Sequence, residues 1–585
     1  MPLRVGVGVF TLFCFVGGSA LAPVVAAPPV TGAELVIGLI QGVPDAQVKA
    51  LHIRAGAIET DRIDALGLRV VRVKNAPRAR VEYLSSEQVR FVEVNQTRHA
   101  LVNDPLVPQQ YSIAVTGLPA AWELSLGDAS RIAIVDTGID LQHEDLAAKV
   151  TGQFNAINPA LTADDDHFRS HGTHVAGIAA AITNNGRGIA GVAQSNPVLA
   201  VKVLDFRGDG NDADIVEGVA WAVDNGARVI NLSLGGASSS QTLEYGIQYA
   251  LDRDVVVVAA AGNSGDGVSC PHLPVGYPAG YAGVIAVSST NSADNLSCFS
   301  NGGPEVSVAA PGENILSTLL NNNYGFLSGT SMSSPFVAGL AALVRSREPE
   351  MSRTDVKRII EEMAYDLGPT LRDDQFGAGR VHAYQALAAA RSLFSDVPRG
   401  IPFSSYINFF GATGVVSGYG DGHFGPFDSL TRAAAAKIAV GAFGLPLYGG
   451  VEQTFSDTPT THPLYRFVET LARARIVSGV GGGRFAPDEA VTRGALAKIA
   501  ANTAAATRGW SSDTSNGPHF ADVPSTHFLY GFVETLYNHG VFRGTSPQTE
   551  EPSTGLVIQQ GVFAVDDLAL RAASVKIFFS ASHQP

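Results

Sequence analysis

Cysteine, methionine and tryptophan are scarce, at three, four and three among 585 residues. So few cysteines rule out a small scaffold stapled by disulfides and any Cys-rich zinc module. Cationic residues are in deficit, 40 Lys and Arg against 54 Asp and Glu. With a net charge of −14 and no basic stretch, the chain lacks the phosphate-neutralising surface that a nucleic-acid partner requires. Charged residues make up 16% and apolar residues 45%, the balance of packed domains rather than of disorder. Long apolar runs are missing too. None beyond the N-terminus approaches the roughly 18–20 residues that span a bilayer, so no transmembrane segment is expected in the mature chain.

What is present begins with Arg4, an apolar stretch Val5–Val16 and the small residues Ser19–Ala27. The run is short and broken by Gly17 and Gly18, so residues 1–27 read as a secretory signal rather than a membrane anchor. Cys14 would leave with it. Cys270 and Cys298 then remain in an oxidising compartment, either bridged or as two buried thiols. Residues from about Ala33 to Asn95 alternate strand-like runs (ELVIGLI, LRVVRVK, VRFVEVN) with helix-compatible ones, a small α+β unit. From Arg131 to about Ala390, continuous Val- and Ile-rich runs alternate with helical patterns such as Asp212–Ala227 and Ser240–Asp254. That alternation predicts an α/β domain whose parallel sheet carries helices on both faces, with ligands beyond the strands' carboxyl ends.

After Ala390 a repeat with a period of about 60 residues takes over. FSDVP (Phe394–Pro398), FSDTP (Phe455–Pro459) and FADVP (Phe520–Pro524) open three mainly helical units. Each continues with an aromatic helix and a Gly-rich turn: Gly414–Pro426, Arg475–Pro487 and Gly540–Pro552. A helix beginning TRAAAAKI, TRGALAKI or LRAASVKI closes each unit, and the third carries an insertion before it. Such units cannot bury their faces alone and are expected to stack.

Three strings carry chemistry: VDTGID (Val135–Asp140), HGTHVAG (His171–Gly177) and GTSMSSP (Gly329–Pro335). A Ser hydroxyl needs a base to become a nucleophile, and the base needs an orienting acid. Ser331, His171 and Asp136 fit those roles. Ser331 also reads as the start of a helix, with Pro335 in the first turn, where free N–H groups favour negative charge. AAAGN (Ala259–Asn263) ends a strand-like run with an amide that could donate to an oxyanion, or simply make a Gly-Asn turn. DTG also occurs in aspartic proteases, but one copy leaves the second carboxylate unaccounted for. His171 and His174 have the spacing of a metal pair without the Glu or a third ligand, so His174 reads as a packed structural residue. The acidic run Asp164–Asp166 reads as a solvated loop.

In order, spacing and neighbours these strings resemble the subtilisin-like serine proteases. The resemblance implies a subtilisin-like fold and a serine endopeptidase acting on proteins or peptides without a catalytic cofactor. It implies Asp136, His171 and Ser331 as the triad, Asn263 at the oxyanion hole, and Ser233, Leu234, Gly235 and Gly276 around the substrate, Gly276 leaving room for a large apolar side chain. It further implies a structural calcium at Asp104, Asp145 and Asn185. Residues 28–102 stand where the family carries a propeptide that assists folding and inhibits, its tail lying in the active site; the other reading is an unrelated accessory domain. The catalytic domain would then span 103–390. The repeats, at 394–450, 455–510 and 520–585, resemble S-layer homology repeats, which implies attachment to a cell-envelope polysaccharide. Ala434 and Ala495 stand where relatives have Glu, while Arg432, Arg493 and Arg571 remain. The expectation is a secreted, envelope-tethered zymogen; the alternative is an envelope-binding structural protein with a silent protease domain.

Overall fold

The structure, a computed structural model, describes residues 33–583 apart from 41, 75, 96–101, 129, 266–272, 516 and 543–561. The expected signal (1–27) and Cys270 lie outside the described residues. Cys298 is disulfide-bonded.

Strands β1 (Ala33–Leu39), β2 (Ala57–Ile63), β3 (Leu68–Val73) and β4 (Val89–Val94) form an antiparallel sheet ordered β2-β3-β1-β4. Alternation sends Leu35, Ile37, Val71, Val73 and Val92 to one face, where they meet Val48, Leu51 and Tyr83 of two helices, Asp45–Ala55 and Ala76–Leu84. This small domain rests on the C-terminal repeats. The tail expected in the active site falls on residues 96–101, outside the described residues.

The central domain is a seven-stranded parallel sheet. Its strands are β5 (Arg131–Asp136), β6 (Val150–Asn155), β7 (Val198–Lys202), β8 (Ala227–Leu232), β9 (Val256–Ala260), β10 (Ile285–Thr290) and β11 (Val306–Pro311). They stand in the order β11-β10-β9-β8-β5-β7-β6. The pleat divides each apolar run between two cores. Ile132, Ile134, Val229, Val256, Val258 and Val287 pack under the helices His171–Ala180 and Thr330–Arg347. Ala133, Val135, Ile230, Leu232, Val257 and Ala259 pack under Asp212–Asp224 and Gln241–Asp252. Burial on both faces is why these strands read as unbroken Val/Ile runs. A hairpin, β12 (Ile315–Leu319) and β13 (Asn323–Leu327), lies beside the helix that begins at His171.

The repeats close into a ring. Leu430 N–H donates to Ala569 O at 2.8 Å, Ala569 N–H to Val491 O at 2.9 Å, and Val491 N–H to Leu430 O at 2.8 Å. Around that axis each repeat clasps the next. Arg432 Nε donates to Phe485 O at 2.8 Å, Arg493 Nε to Phe563 O at 2.9 Å, and Arg571 Nε to Phe424 O at 2.9 Å. Each guanidinium also lies over the same Phe ring, 4.7–4.9 Å from its centroid. The Asp of each opening motif ties down the turn that presents that Phe: Asp396 accepts from Phe424 and Gly425, Asp457 from Phe485 and Ala486, Asp522 from Phe563 and Val565. In the third repeat this part is taken by Phe563 and Val565, while most of the turn read at Gly540–Pro552 lies outside the described residues.

Candidate active site

Asp136 is the last residue of β5 and is wholly buried. Its Oδ1 accepts the N–H of Thr137 at 2.7 Å and lies 2.7 Å from His171 Nδ1. His171 opens its helix, and Gly172 follows because a Cβ there would collide with the Gly138 carbonyl oxygen. Burial disfavours the imidazolium, but the charge of Asp136 and its hydrogen bond outweigh that, so the His171 pKa is raised. Ser331 lies in the first turn of the helix Thr330–Arg347. Its hydroxyl donates to Ser233 O at 3.2 Å, and it lines the same cleft of about 720 Å³ as His171 and Asn263.

Helix Thr330–Arg347 starts one residue earlier than expected, which puts Pro335 in the second turn. Having no N–H, Pro335 cannot bond the carbonyl of Ser331. Ser233 Oγ fills that vacancy, donating to Ser331 O at 2.8 Å and lying 2.9 Å from Ser334 Oγ. The Ser233 side chain thus lies beneath the peptide of Ser331, and Ser233, Leu234 and Gly235 all line the cleft. Beyond β8, Gly236 and Tyr277 exchange two backbone hydrogen bonds at 2.8 and 2.9 Å, placing Gly276 on the cleft wall.

Asn263 follows β9 and is exposed to the cleft. Its Oδ1 accepts from the N–H and hydroxyl of Thr330 at 2.8 and 2.9 Å. That leaves Nδ2, the donor, on the side of Gly329 and the Ser331 N–H. Thr330 escapes sequence reasoning because a Thr beside a Ser carries no signal of which amide it orients.

The solvated-loop expectation for Asp164–Asp166 is overturned at its centre. Asp165 is buried and accepts from Thr137 Oγ1 (2.9 Å), His167 N (3.0 Å), Thr173 N (3.0 Å) and Thr173 Oγ1 (2.7 Å). Burial pushes its pKa up against those bonds. It therefore binds the β5 loop to the first turn of the His171 helix. Asp166 holds the buried ammonium of Lys202, which also donates to Thr137 O, both at 2.7 Å. His174 is the packed residue the sequence suggested. It is fully buried, with Nε2 3.1 Å from the carbonyls of Ile315 and Gly325, and burial lowers its pKa to about 3.

The residues read as a calcium site meet just beyond the C-terminal end of the His171 helix, where Ile182 N–H donates to Asp145 O at 2.8 Å. Asn185 Nδ2 donates to Asp145 Oδ1 at 2.7 Å, and Asp104 accepts from the N–H groups of Asn184, Asn185 and Gly186. Both carboxylates are buried, and among the described residues no Lys or Arg pairs with either.

Residues 127–379 match the Subtilase family, and residues 393–436 and 454–497 match the S-layer homology domain. Thermitase of Thermoactinomyces vulgaris is 43% identical over 286 residues, 49% of this chain and 98% of that protein. The chain belongs to the subtilase family. Among its other relatives, the thermophilic serine proteinase of Bacillus sp. (strain AK1) is 42% identical over 279 residues, 48% of this chain and 67% of that protein. The halolysin-like extracellular serine protease of Natrialba magadii is 36% identical over 393 residues, 64% of this chain and 71% of that protein. This subtilase is a subtilisin-like serine protease whose S-layer homology repeats associate it with the cell envelope. No described helix is long and apolar enough to cross a membrane.

Proposed function

We propose that this subtilase is made as a zymogen and cleaves proteins through Asp136, His171 and Ser331. The observation that carries this reading is the 2.7 Å bond between buried Asp136 and His171 in the cleft that Ser331 and Asn263 share. Ser331 Oγ attacks the scissile carbonyl carbon while His171 Nε2 takes its proton, with Asp136 fixing the tautomer and stabilising the imidazolium. The oxyanion receives Asn263 Nδ2 and the Ser331 N–H. On collapse His171 returns the proton to the leaving amine, and water then hydrolyses the acyl-enzyme by the same route. Ser233 (through its backbone), Leu234, Gly235 and Gly276 would receive the substrate backbone and the side chain before the cut.

The N-terminal domain would be the propeptide and inhibitor, and the repeats would hold an envelope polysaccharide. Asp104, Asp145 and Asn185 suit a structural Ca²⁺, since two buried carboxylates and an amide are hard oxygen donors without a cationic partner. The ion would neutralise that cluster and brace the 184–189 loop, with no part in the proton transfers.

The test is expression of the wild-type chain beside Ser331→Ala. Wild type should lose its N-terminal domain and be labelled by a serine-directed acylating reagent, and the variant should do neither. Matured wild type that is not labelled and leaves casein intact would favour a silent protease domain instead. Chelation with EGTA should lower the melting temperature of the Ser331→Ala chain and leave that of Asp145→Asn in the same background nearly unchanged.

A further inference from the structure

The cleft that holds Ser331 has a charge pattern of its own. Among the described residues lining it, Asp209 and Asp212 are the acids, and no Lys or Arg lines it. Asp209 ends a tight turn, in which Asp205 N–H donates to Asp209 O at 2.8 Å and Asp209 N–H to Asp205 Oδ1 at 3.0 Å. Asp205 closes that turn, and Asp209 is exposed on the cleft rim. Asp212 opens the helix Asp212–Asp224 and is half-buried. The cations nearest in sequence are committed elsewhere. Lys202 is held by Asp166 and the carbonyls of Thr137 and Leu204, and Arg207 lies over the ring of Phe206. Among the described residues no Lys or Arg pairs with Asp209 or Asp212.

One turn along from Asp212, Ile215 lies on the same helix face and lines the cleft, with Leu243 of the neighbouring helix. Both are buried in one core cluster, and Leu234 packs against it. Leu234 is among the residues assigned to the substrate before the cut, so this stretch of wall lies upstream of the scissile bond. An apolar floor under an acidic rim suits a side chain with an alkyl stem and a cationic head. A second group on the wall points to a ligand independently. His167 is 7% exposed and lines the cleft. Arg169 N–H donates to its Nδ1 at 3.3 Å, so Nε2 carries the proton, and no described residue accepts it. A Cβ on Gly208, also on the cleft wall, would stand 3.4 Å from that Nε2, so the glycine leaves the donor open.

We propose that this wall selects a lysine or arginine side chain upstream of the scissile bond. The stem lies on Ile215 and Leu243, the charged head meets Asp209 and Asp212, and His167 Nε2 donates to a backbone carbonyl of the same peptide. The inference rests on the protease reading and deepens it, naming basic peptides as the substrate class. Because the acids sit at the rim, each contributes in the range of an exposed ion pair and is weakened by salt.

The experiment uses purified wild-type protein and internally quenched peptides. These carry Arg, neutral norleucine or Glu in turn at each position upstream of the residue that enters at Gly276, with cut sites read by mass spectrometry. At one position Arg should exceed norleucine by about 5- to 20-fold in kcat/KM at low salt, and Glu should be poorest. At about 1 M salt the preference should fall to about two-fold or less. The double variant Asp209→Asn, Asp212→Asn should cut Arg and norleucine peptides equally, with the norleucine value kept as the sign of an intact cleft. Asp212→Lys should turn the order towards Glu. His167→Ala should raise KM by about 3- to 10-fold for all the peptides alike. Equal cleavage of Arg and norleucine peptides at every upstream position, or a preference that survives the double variant, would overturn the proposal and leave the protease reading standing. An unchanged KM in His167→Ala would take His167 out of the site. Wild type that cuts no peptide and takes no acylating label would end both readings.

Discussion

At the scale of single residues, the proposed chemistry depends on groups whose neighbours prepare them. Asn263 is aimed by Thr330, so Asn263→Ala should lower kcat by about 10²–10³-fold with little change in KM, the magnitude known for the matching donor of subtilisin, a relative of this chain. In the proposed mechanism His171 must be neutral to accept a proton, and Asp136 raises its pKa. Activity should therefore fall as pH drops through a value above that of an ordinary His. Asp136→Asn should lower kcat by about 10⁴-fold and move that acid limb downward, read from a pH–rate profile on a peptide substrate. His174 behaves in the opposite sense. Its folded pKa of about 3 lies below the unfolded value, so its contribution is complete above pH 6.5 and is lost as pH falls towards 3. Stability of the Ser331→Ala central domain should drop by about 1.4 kcal/mol per pH unit over that window from this residue, and His174→Gln should flatten the slope.

Among the elements, helix Thr330–Arg347 shows how a sequence anomaly becomes a contact. A proline six residues in would ordinarily strand a carbonyl, and that carbonyl belongs to Ser331. Ser233 satisfies it from the end of β8. In the Ser331→Ala background, Ser233→Ala should lower the free energy of unfolding by about 1–3 kcal/mol, measured by denaturant titration of the central domain. The strand ends, the helix starts and the four strings of the cleft were legible because each combines a periodicity with an unusual residue. The role of Asp165 was not. One acid in a run of three gives no sign of burial until the loop has folded back on Thr137 and Thr173.

For the molecule as a whole, the repeats are the instructive case. Thr431 and Thr492 cap their helices by accepting from Ala434 and Ala495, the positions where relatives carry Glu. Only half of a capping box survives there, since Ala cannot reach back to the capping residue's N–H. The arginines beside them are inter-repeat clasps. Arg432→Ala, Arg493→Ala and Arg571→Ala should each lower the denaturation midpoint of the repeats by a comparable amount, because a ring opened at any joint loses the same closure. Near-UV circular dichroism of the Ser331→Ala chain during urea unfolding would report it. Loss at one position only would mean that the joints are not equivalent.

The sequence alone determined the parallel sheet, the three repeats, and the four strings whose side chains share the cleft, because periodicity and residue chemistry are local properties of a chain. Tertiary structure decided the rest. It set the docking of the N-terminal domain on the repeats, the commitment of the repeat arginines to neighbouring backbone, and the burial of Asp165 and Ser233. These depend on hydrogen bonds between residues tens to hundreds of positions apart, whose donors and acceptors look alike in every sequence until folding removes the water between them.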